Sequence, residues 1–246
     1  WKAVFFFAST AALLMSAAWM ILFPRVNGKL EDISVLRGCG DRKYEKMTGR
    51  TAVLIALVMI AIVIHGSLRD GITTWMPTYV SETFNLKSEI SILSGILLPV
   101  FSIICSQLTS FVNRRFVSNI MLNSGIIFVL AALSSTLLAL LGGKSAPASI
   151  VALALTTGCM YGINYLLACL APAFFVKYGK VSFISGLLNS CTYVGSAVST
   201  YGIALLTNDK SWSYIAGIWA VTALAGAVLS LAISAAWGKF TGKSKA

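Results

Sequence analysis

Residues 51–79 read TAVLIALVMIAIVIHGSLRDGITTWMPTY, and the opening run TAVLIALVMIAIV carries no charge. Extended to Val80 as a helix, this segment is roughly 45 Å long, which is the thickness of a bilayer with its headgroups. Two charged residues, Arg69 and Asp70, stand side by side near its middle. The segment predicts a transmembrane helix that carries charge at depth.

The composition of the whole chain agrees with this prediction. Of the 246 residues, 57% are hydrophobic and only 11% are charged, whereas a soluble domain needs far more charge on its surface. Apolar runs of about 20 residues recur along the chain, so the predicted fold class is an all-α, multi-pass membrane protein. The predicted spans are Ala3–Phe23, Thr51–Tyr79, Ile90–Val112, Asn119–Leu141, Ser149–Phe175, Val181–Leu206 and Trp212–Trp237.

Lysine and arginine outnumber aspartate and glutamate by 19 to 8. If residues 25–50 lie in the cytoplasm and each later segment crosses in turn, few basic residues fall outside. These are Lys2, Lys87, Lys144 and Lys210. Most of the others fall inside, as the positive-inside rule predicts. The basic excess therefore requires no nucleic-acid partner.

The long polar stretch after the first span divides the chain. The predicted organisation is a transmembrane helix in residues 1–24, a cytoplasmic loop in residues 25–50, a six-helix bundle in residues 51–237 and a basic cytoplasmic tail in residues 238–246. The chain begins at Trp1, almost directly in a spanning segment. We therefore expect it to be the back part of a longer protein.

Arg69 lies about one helical turn from the centre of its segment. A guanidinium there costs about 2.5–3.5 kcal/mol unless it meets water or an anion. Two structural interpretations are snorkelling to the outer headgroups and neutralisation by Asp70 alone. The outer end of the segment is far from Arg69, which makes snorkelling difficult. Adjacent residues on a helix point about 100° apart, so Asp70 is not an obvious partner of Arg69. We favour an arginine that faces a water-filled pathway and holds an anionic substrate.

His65 lies four residues before Arg69, on the same helical face. It is a candidate protonation switch or substrate donor, although a lone helical histidine is more often a packing residue. Asp70 is a candidate for carrying a coupled proton or for tuning the charge of Arg69. Both roles stay open.

Two further helices carry polar residues in apolar surroundings. The candidates in TTGCMYGINYLL are Tyr161 and Asn164, and those in GLLNSCTYVGS are Asn189 and Tyr193. A tyrosine in the middle of a membrane needs a partner for its hydroxyl, which another helix can supply. The sequence contains no recognisable set of catalytic residues. It has one histidine, no glycine-rich phosphate loop and no metal-ligand cluster. We predict no cofactor.

The segment LRDGITTWMPTYV (Leu68–Val80) resembles the seventh helix of the organophosphate:phosphate antiporters. These are the glycerol phosphate and hexose phosphate transporters of the major facilitator superfamily. The matching residues are Arg69, Gly71, Trp75, Pro77, Thr78 and Tyr79. Tyr161–Gly162 is similar to the Tyr-Gly of their tenth helix, and GLLNSCTYVGSAV (Gly186–Val198) is similar to their eleventh.

The resemblance implies a carboxy-terminal six-helix bundle preceded by the last helix of the amino-terminal half. It implies that Arg69 is one of two arginines that clamp a phosphate, and that Tyr161 and Tyr193 line the same cavity. The second arginine is then expected from the amino-terminal half of the same protein. Two positions depart from the family pattern: Thr74 replaces an acid, and Asp70 adds one.

We therefore predict a carrier of the cell (inner) membrane, working by alternating access, whose partners are the lipid bilayer and a small anion. The leading hypothesis is exchange of a phosphorylated organic anion for inorganic phosphate. One alternative is proton-coupled transport of a carboxylate such as a sugar acid, with Asp70 or His65 taking the proton. A second alternative is a transporter-like membrane sensor.

Overall fold

A computed structural model of the protein describes residues 2–36, 44–85, 95–207 and 211–242, and all regular secondary structure in these ranges is helical. This confirms the predicted fold class. The chain divides into two units, Trp1–Glu45 and Lys46–Ala246.

The first unit contains α1 (Lys2–Leu36). Its large apolar side chains from Phe6 to Phe23 are exposed. The helix continues through Pro24, although the sequence predicts a loop from residue 25 onward. A proline removes a single N–H donor, and residues 29–31 (Lys, Leu, Glu) are good helix formers that carry the helix on. Residues 37–43 of the predicted loop lie outside the described ranges.

The described residues of the second unit form helices in the predicted order. They are α2 (Gly49–Phe84), α3 (Leu97–Arg115), α4 (Ile120–Leu141), α5 (Ala146–Asn164), α6 (Val181–Leu206) and α7 (Trp212–Thr241). The core of this unit includes Ile62, Ile72 and Met76 of α2, which are fully buried. Within this unit α2 packs against α5, α6 and α7.

Five helices in the described part of the chain are long and apolar enough to cross a membrane. They are α2, α4, α5 together with the helical residues that follow it up to Tyr178, α6 and α7. Two predicted spans are not among them. The first, Ala3–Phe23, corresponds to a shorter apolar stretch, Ser9–Pro24. The other, Ile90–Val112, begins in residues that are not described. The helix found there, α3, continues to Asn113, Arg114 and Arg115, and these residues lower its mean hydropathy.

The sequence predicts one span over Ser149–Phe175, and the structure winds this span in three ways. After α5 comes a π-helical segment, Tyr165–Leu170, and then a 3₁₀ segment, Ala171–Tyr178. Pro172 has no N–H and cannot continue an α-helical ladder, which favours the change in winding. The segment ends at Gly179 with φ +66°, a left-handed conformation that suits glycine.

Three basic side chains of the second unit lie at one end of the helices. Arg50 at the start of α2 and Lys239 at the end of α7 line the same surface groove. The Lys177 ammonium group lies 4.8 Å from the centre of the Phe240 ring. This is the end that the sequence predicts to be cytoplasmic.

Candidate functional site

Arg69 lies within one turn of the middle of α2, a helix of 36 residues, and its side chain is 14% exposed. Its Nε and Nη2 atoms donate hydrogen bonds of 2.6 and 2.9 Å to Oδ1 and Oδ2 of Asp70. Asp70, which the helical spacing did not make an obvious partner, is therefore the partner of Arg69. Adjacent Cβ atoms diverge on a helix, but the arginine side chain has enough rotatable bonds to turn back to its neighbour.

Two other helices contribute to the surroundings of this ion pair. From α5, the ring of Tyr161 lies against the guanidinium, with 5.7 Å between Cζ of Arg69 and the ring centroid. A cation within about 6 Å of an aromatic face is attracted by the ring quadrupole. From α6, Tyr193 lies within electrostatic range of Arg69, and Ser196 lies beside the carboxylate of Asp70. The structure thus brings four of the predicted site residues together.

His65 lies behind the ion pair. Its side chain is fully buried, next to backbone groups of Met160 and Ile62. It is within electrostatic range of both Arg69 and Asp70. Since His65 has no exposed surface, a solute in contact with Arg69 does not touch it in this conformation.

The two predicted asparagines form no hydrogen bond with the ion pair in the described part of the chain. Asn164 is half-buried at the end of α5, where the winding changes to the π-helical segment. Asn189 is exposed on α6, one turn before Tyr193, which is itself 61% exposed. Tyr193 therefore presents an open face.

α2 and α6 approach each other backbone to backbone beside the ion pair. A methyl group added at Gly66 would overlap the Thr192 carbonyl, and one added at Gly195 would overlap the Val63 carbonyl. The Oγ atom of Ser67 donates to the carbonyls of Val63 and Gly195, each at 3.0 Å. Small residues permit such contacts between membrane helices, where no hydrophobic force drives association. This contact fixes the helix that carries the ion pair.

A groove of about 480 Å³ lies between α2, α3 and α5, beside Tyr161. Its other polar residues are Thr73, Ser102, Ser106 and Gln107. Thr73 is one turn beyond Arg69 and donates from Oγ1 to the Arg69 carbonyl at 2.7 Å. The sequence prediction missed these residues. The spacing of four from Arg69 was a usable signal for Thr73, whereas the α3 residues reach the site only through packing between helices.

Comparison with known families agrees with this architecture. The family model of the Major Facilitator Superfamily matches residues 1–200, a stretch that includes Arg69, Tyr161 and Tyr193. No curated protein matches the chain. Members of this superfamily carry small solutes across lipid bilayers and are not enzymes. The chain belongs to the Major Facilitator Superfamily and is a multi-pass membrane transporter.

Proposed function

We propose that the protein works by alternating access and exchanges a phosphorylated organic anion, of the glycerol phosphate or sugar phosphate type, for inorganic phosphate. The observation that carries the proposal is the position of the Arg69 guanidinium, which lies near the middle of a membrane helix between Asp70 and the Tyr161 ring. A cation at this depth is costly to insert and marks a substrate pathway in membrane proteins.

The geometry of the ion pair suits an exchange of anions on arginine. Asp70 uses the edge of the guanidinium that presents Nε and Nη2, and it contacts both atoms. A phosphate presents two oxygens with the same spacing, so it can take this edge when the carboxylate turns away. Ser196 lies beside Asp70 and offers the displaced carboxylate a hydroxyl donor. Arg69 then keeps a negative partner throughout.

The resemblance of Leu68–Val80 to the organophosphate:phosphate antiporters supports phosphate as the anionic group. In this proposal, the amino-terminal half of the same protein supplies the opposite wall of the cavity and a second arginine. The protein then lies in the cell (inner) membrane, with the end that carries Arg50, Lys177 and Lys239 in the cytoplasm, as the positive-inside rule favours.

The Arg69–Asp70 ion pair also favours a second candidate, a proton-coupled carrier of a carboxylate such as a sugar acid. A carboxylate fits the arginine fork as well as a phosphate does. Protonation of Asp70 removes its charge and weakens its hold on Arg69, so a proton and an anion would bind together. The two candidates differ in the coupled solute, which is inorganic phosphate in the exchanger and a proton in the second candidate.

Equilibrium binding of inorganic phosphate to the purified complete protein tests the proposal. Arg69→Ala is expected to lower the affinity at least tenfold, because each hydrogen bond to a charged group contributes about 1.5–3 kcal/mol. Arg69→Lys keeps the charge but loses the paired donors of the guanidinium, so an intermediate loss of phosphate affinity is expected. Arg50→Ala is the matched control, since Arg50 is an exposed arginine at the start of the same helix.

Both Arg69 variants are expected to insert and fold, because Arg69→Lys keeps a cation beside Asp70 and Arg69→Ala leaves the Asp70 carboxylate next to the Ser196 hydroxyl. Retention of wild-type phosphate affinity by Arg69→Ala would show that the arginine has a structural role, and the phosphate proposal would fail.

A further inference from the structure

A second groove, of about 360 Å³, lies between the start of α2 and the end of α7. Arg50 and Lys239 line it, and both side chains are exposed. Phe240 lines it as well, and the Lys177 ammonium group lies 4.8 Å from the centre of the Phe240 ring. The described residues that line the groove include no acidic side chain. The mouth of this groove is therefore positively charged.

The groove becomes apolar with distance from its cations. On α2, Val53, Leu54 and Leu57 line the groove, and their spacing from Arg50 places them on one face of the helix. Leu57 is roughly 10 Å from Arg50 along the helix axis. Val53 is exposed and Leu57 is half-buried. Because α2 enters the membrane from Arg50, the apolar wall runs inward from the membrane surface.

Contacts at the base of the groove join three segments of the chain. Thr51 is buried in the groove, and its Oγ1 atom lies 3.4 Å from the hydroxyl oxygen of Tyr178. The Tyr178 ring stacks on Phe240, with 10° between the ring planes. The start of α2, the 3₁₀ segment and the end of α7 therefore meet here, and each brings a basic side chain to the same place.

This arrangement matches the chemistry of an anionic phospholipid. The headgroup phosphate accepts charge-assisted hydrogen bonds from a guanidinium and an ammonium group. Basic pockets between the ends of membrane helices are typical sites for anionic headgroups. An acyl chain covers the exposed apolar wall below the cations, which a soluble phosphate cannot do. The charge and the wall together therefore favour a lipid over a free anion.

A zwitterionic phospholipid matches the groove less well. Its choline or ethanolamine ammonium group would lie beside Arg50 and Lys239, with no acidic side chain among the described lining residues. An aromatic face can attract an ammonium group, but the ring of Phe240 already has the Lys177 ammonium group against it. The groove thus selects its lipid by the net charge of the headgroup.

We infer that this groove binds an anionic phospholipid of the leaflet at this end of the helices. The lipid phosphate lies on Arg50 and Lys239, and an acyl chain lies along Val53 and Leu57. Arg50 is roughly 28 Å from Arg69 along α2, so the inference is independent of the solute that the protein carries. Without an acyl chain, inorganic phosphate meets only exposed cations in water, where ion pairs are weak.

Equilibrium binding of lipids to the purified complete protein in detergent tests the inference. The probes are dioleoyl phosphatidylglycerol, which is anionic, and dioleoyl phosphatidylcholine, which is zwitterionic and has the same chains. Wild type is expected to bind the phosphatidylglycerol about tenfold more tightly or better, because each basic residue near an anionic headgroup contributes about fivefold. The double variant Arg50→Gln with Lys239→Gln is expected to lose this preference and to keep the wild-type affinity for phosphatidylcholine.

Arg114→Gln with Lys144→Gln is the matched control, because this pair also removes one exposed arginine and one exposed lysine, both outside the groove. The control is expected to keep the wild-type preference. Inorganic phosphate is expected to displace no more phosphatidylglycerol than sodium chloride of equal ionic strength. Equal binding of the two lipids by wild type overturns the lipid site, and so does a preference that survives in the groove variant. An equal loss of preference in the control, or displacement of the lipid by inorganic phosphate, also overturns it.

Discussion

The Arg69 guanidinium and the Asp70 carboxylate are only 14% and 24% exposed. Little water reaches the pair, so its two charge-assisted hydrogen bonds are screened less than those of a surface ion pair. An anion that approaches Nε and Nη2 must compete with a carboxylate from the next residue of the chain. Asp70 therefore sets how strongly the Arg69 guanidinium attracts a solute.

Replacement of Asp70 tests this competition. Asp70→Asn removes the charge that holds the fork, and we expect inorganic phosphate to bind roughly three- to tenfold more tightly to the purified variant than to wild type. Asp70→Glu keeps the charge and is the matched control, with affinity close to that of wild type. Weaker phosphate binding by Asp70→Asn would indicate that Asp70 supports the anion site rather than competing for it.

The sequence was sufficient to select Arg69, Asp70 and Tyr161, because charged or polar residues in an apolar run are conspicuous. It was not sufficient for the ion pair, since spacing along a helix describes Cβ directions and not the reach of an arginine. Ser106 and Gln107 were missed for a different reason: their helix meets α2 and α5 only in the folded molecule.

At the scale of the helices, the contact between α2 and α6 has the least room for change. Gly66 and Gly195 each face a carbonyl of the opposite helix, with no space for a side chain. The ion pair lies on the next turn of α2, and Tyr193 and Ser196 flank Gly195 on α6. A change in this contact would separate the two helices at the site.

Gly195→Val is expected to destabilise the second unit by about 1–3 kcal/mol, since overpacking forces the two backbones apart. Gly186→Val is the matched control on the same helix, because a Cβ there meets no atom within 4 Å. The measurement is the thermal denaturation midpoint of the purified proteins in the same detergent. Equal midpoints for the two variants would contradict a close α2–α6 contact.

The helices whose bounds the sequence predicted best are α4 and α6, which contain no charged residue and agree with the predicted Asn119–Leu141 and Val181–Leu206 to within one residue. The changes in winding after α5 could not be predicted, because hydropathy does not distinguish π-helical and 3₁₀ segments from α-helix. The extension of α1 past Pro24 was missed because a proline beside polar residues is a usual sign of a helix end.

At the scale of the whole molecule, the superfamily establishes a transporter, and the second unit contains the elements that the proposal uses. Its basic residues Arg50, Lys177 and Lys239 gather at one end, and Arg69 lies far along the helix from Arg50. In the proposed mechanism, an anion on Arg69 is held near the middle of the membrane, where alternating-access carriers bind their substrates.

Exchange of phosphate in reconstituted vesicles tests the proposed function most directly. The complete protein is placed in vesicles with or without internal phosphate, and uptake of labelled inorganic phosphate is followed. We expect internal phosphate to accelerate uptake severalfold or more, Arg50→Ala to behave as wild type, and Arg69→Ala to show no such acceleration. Phosphate uptake that is equal in loaded and empty vesicles, or wild-type exchange by Arg69→Ala, would contradict a carrier that exchanges anions on Arg69.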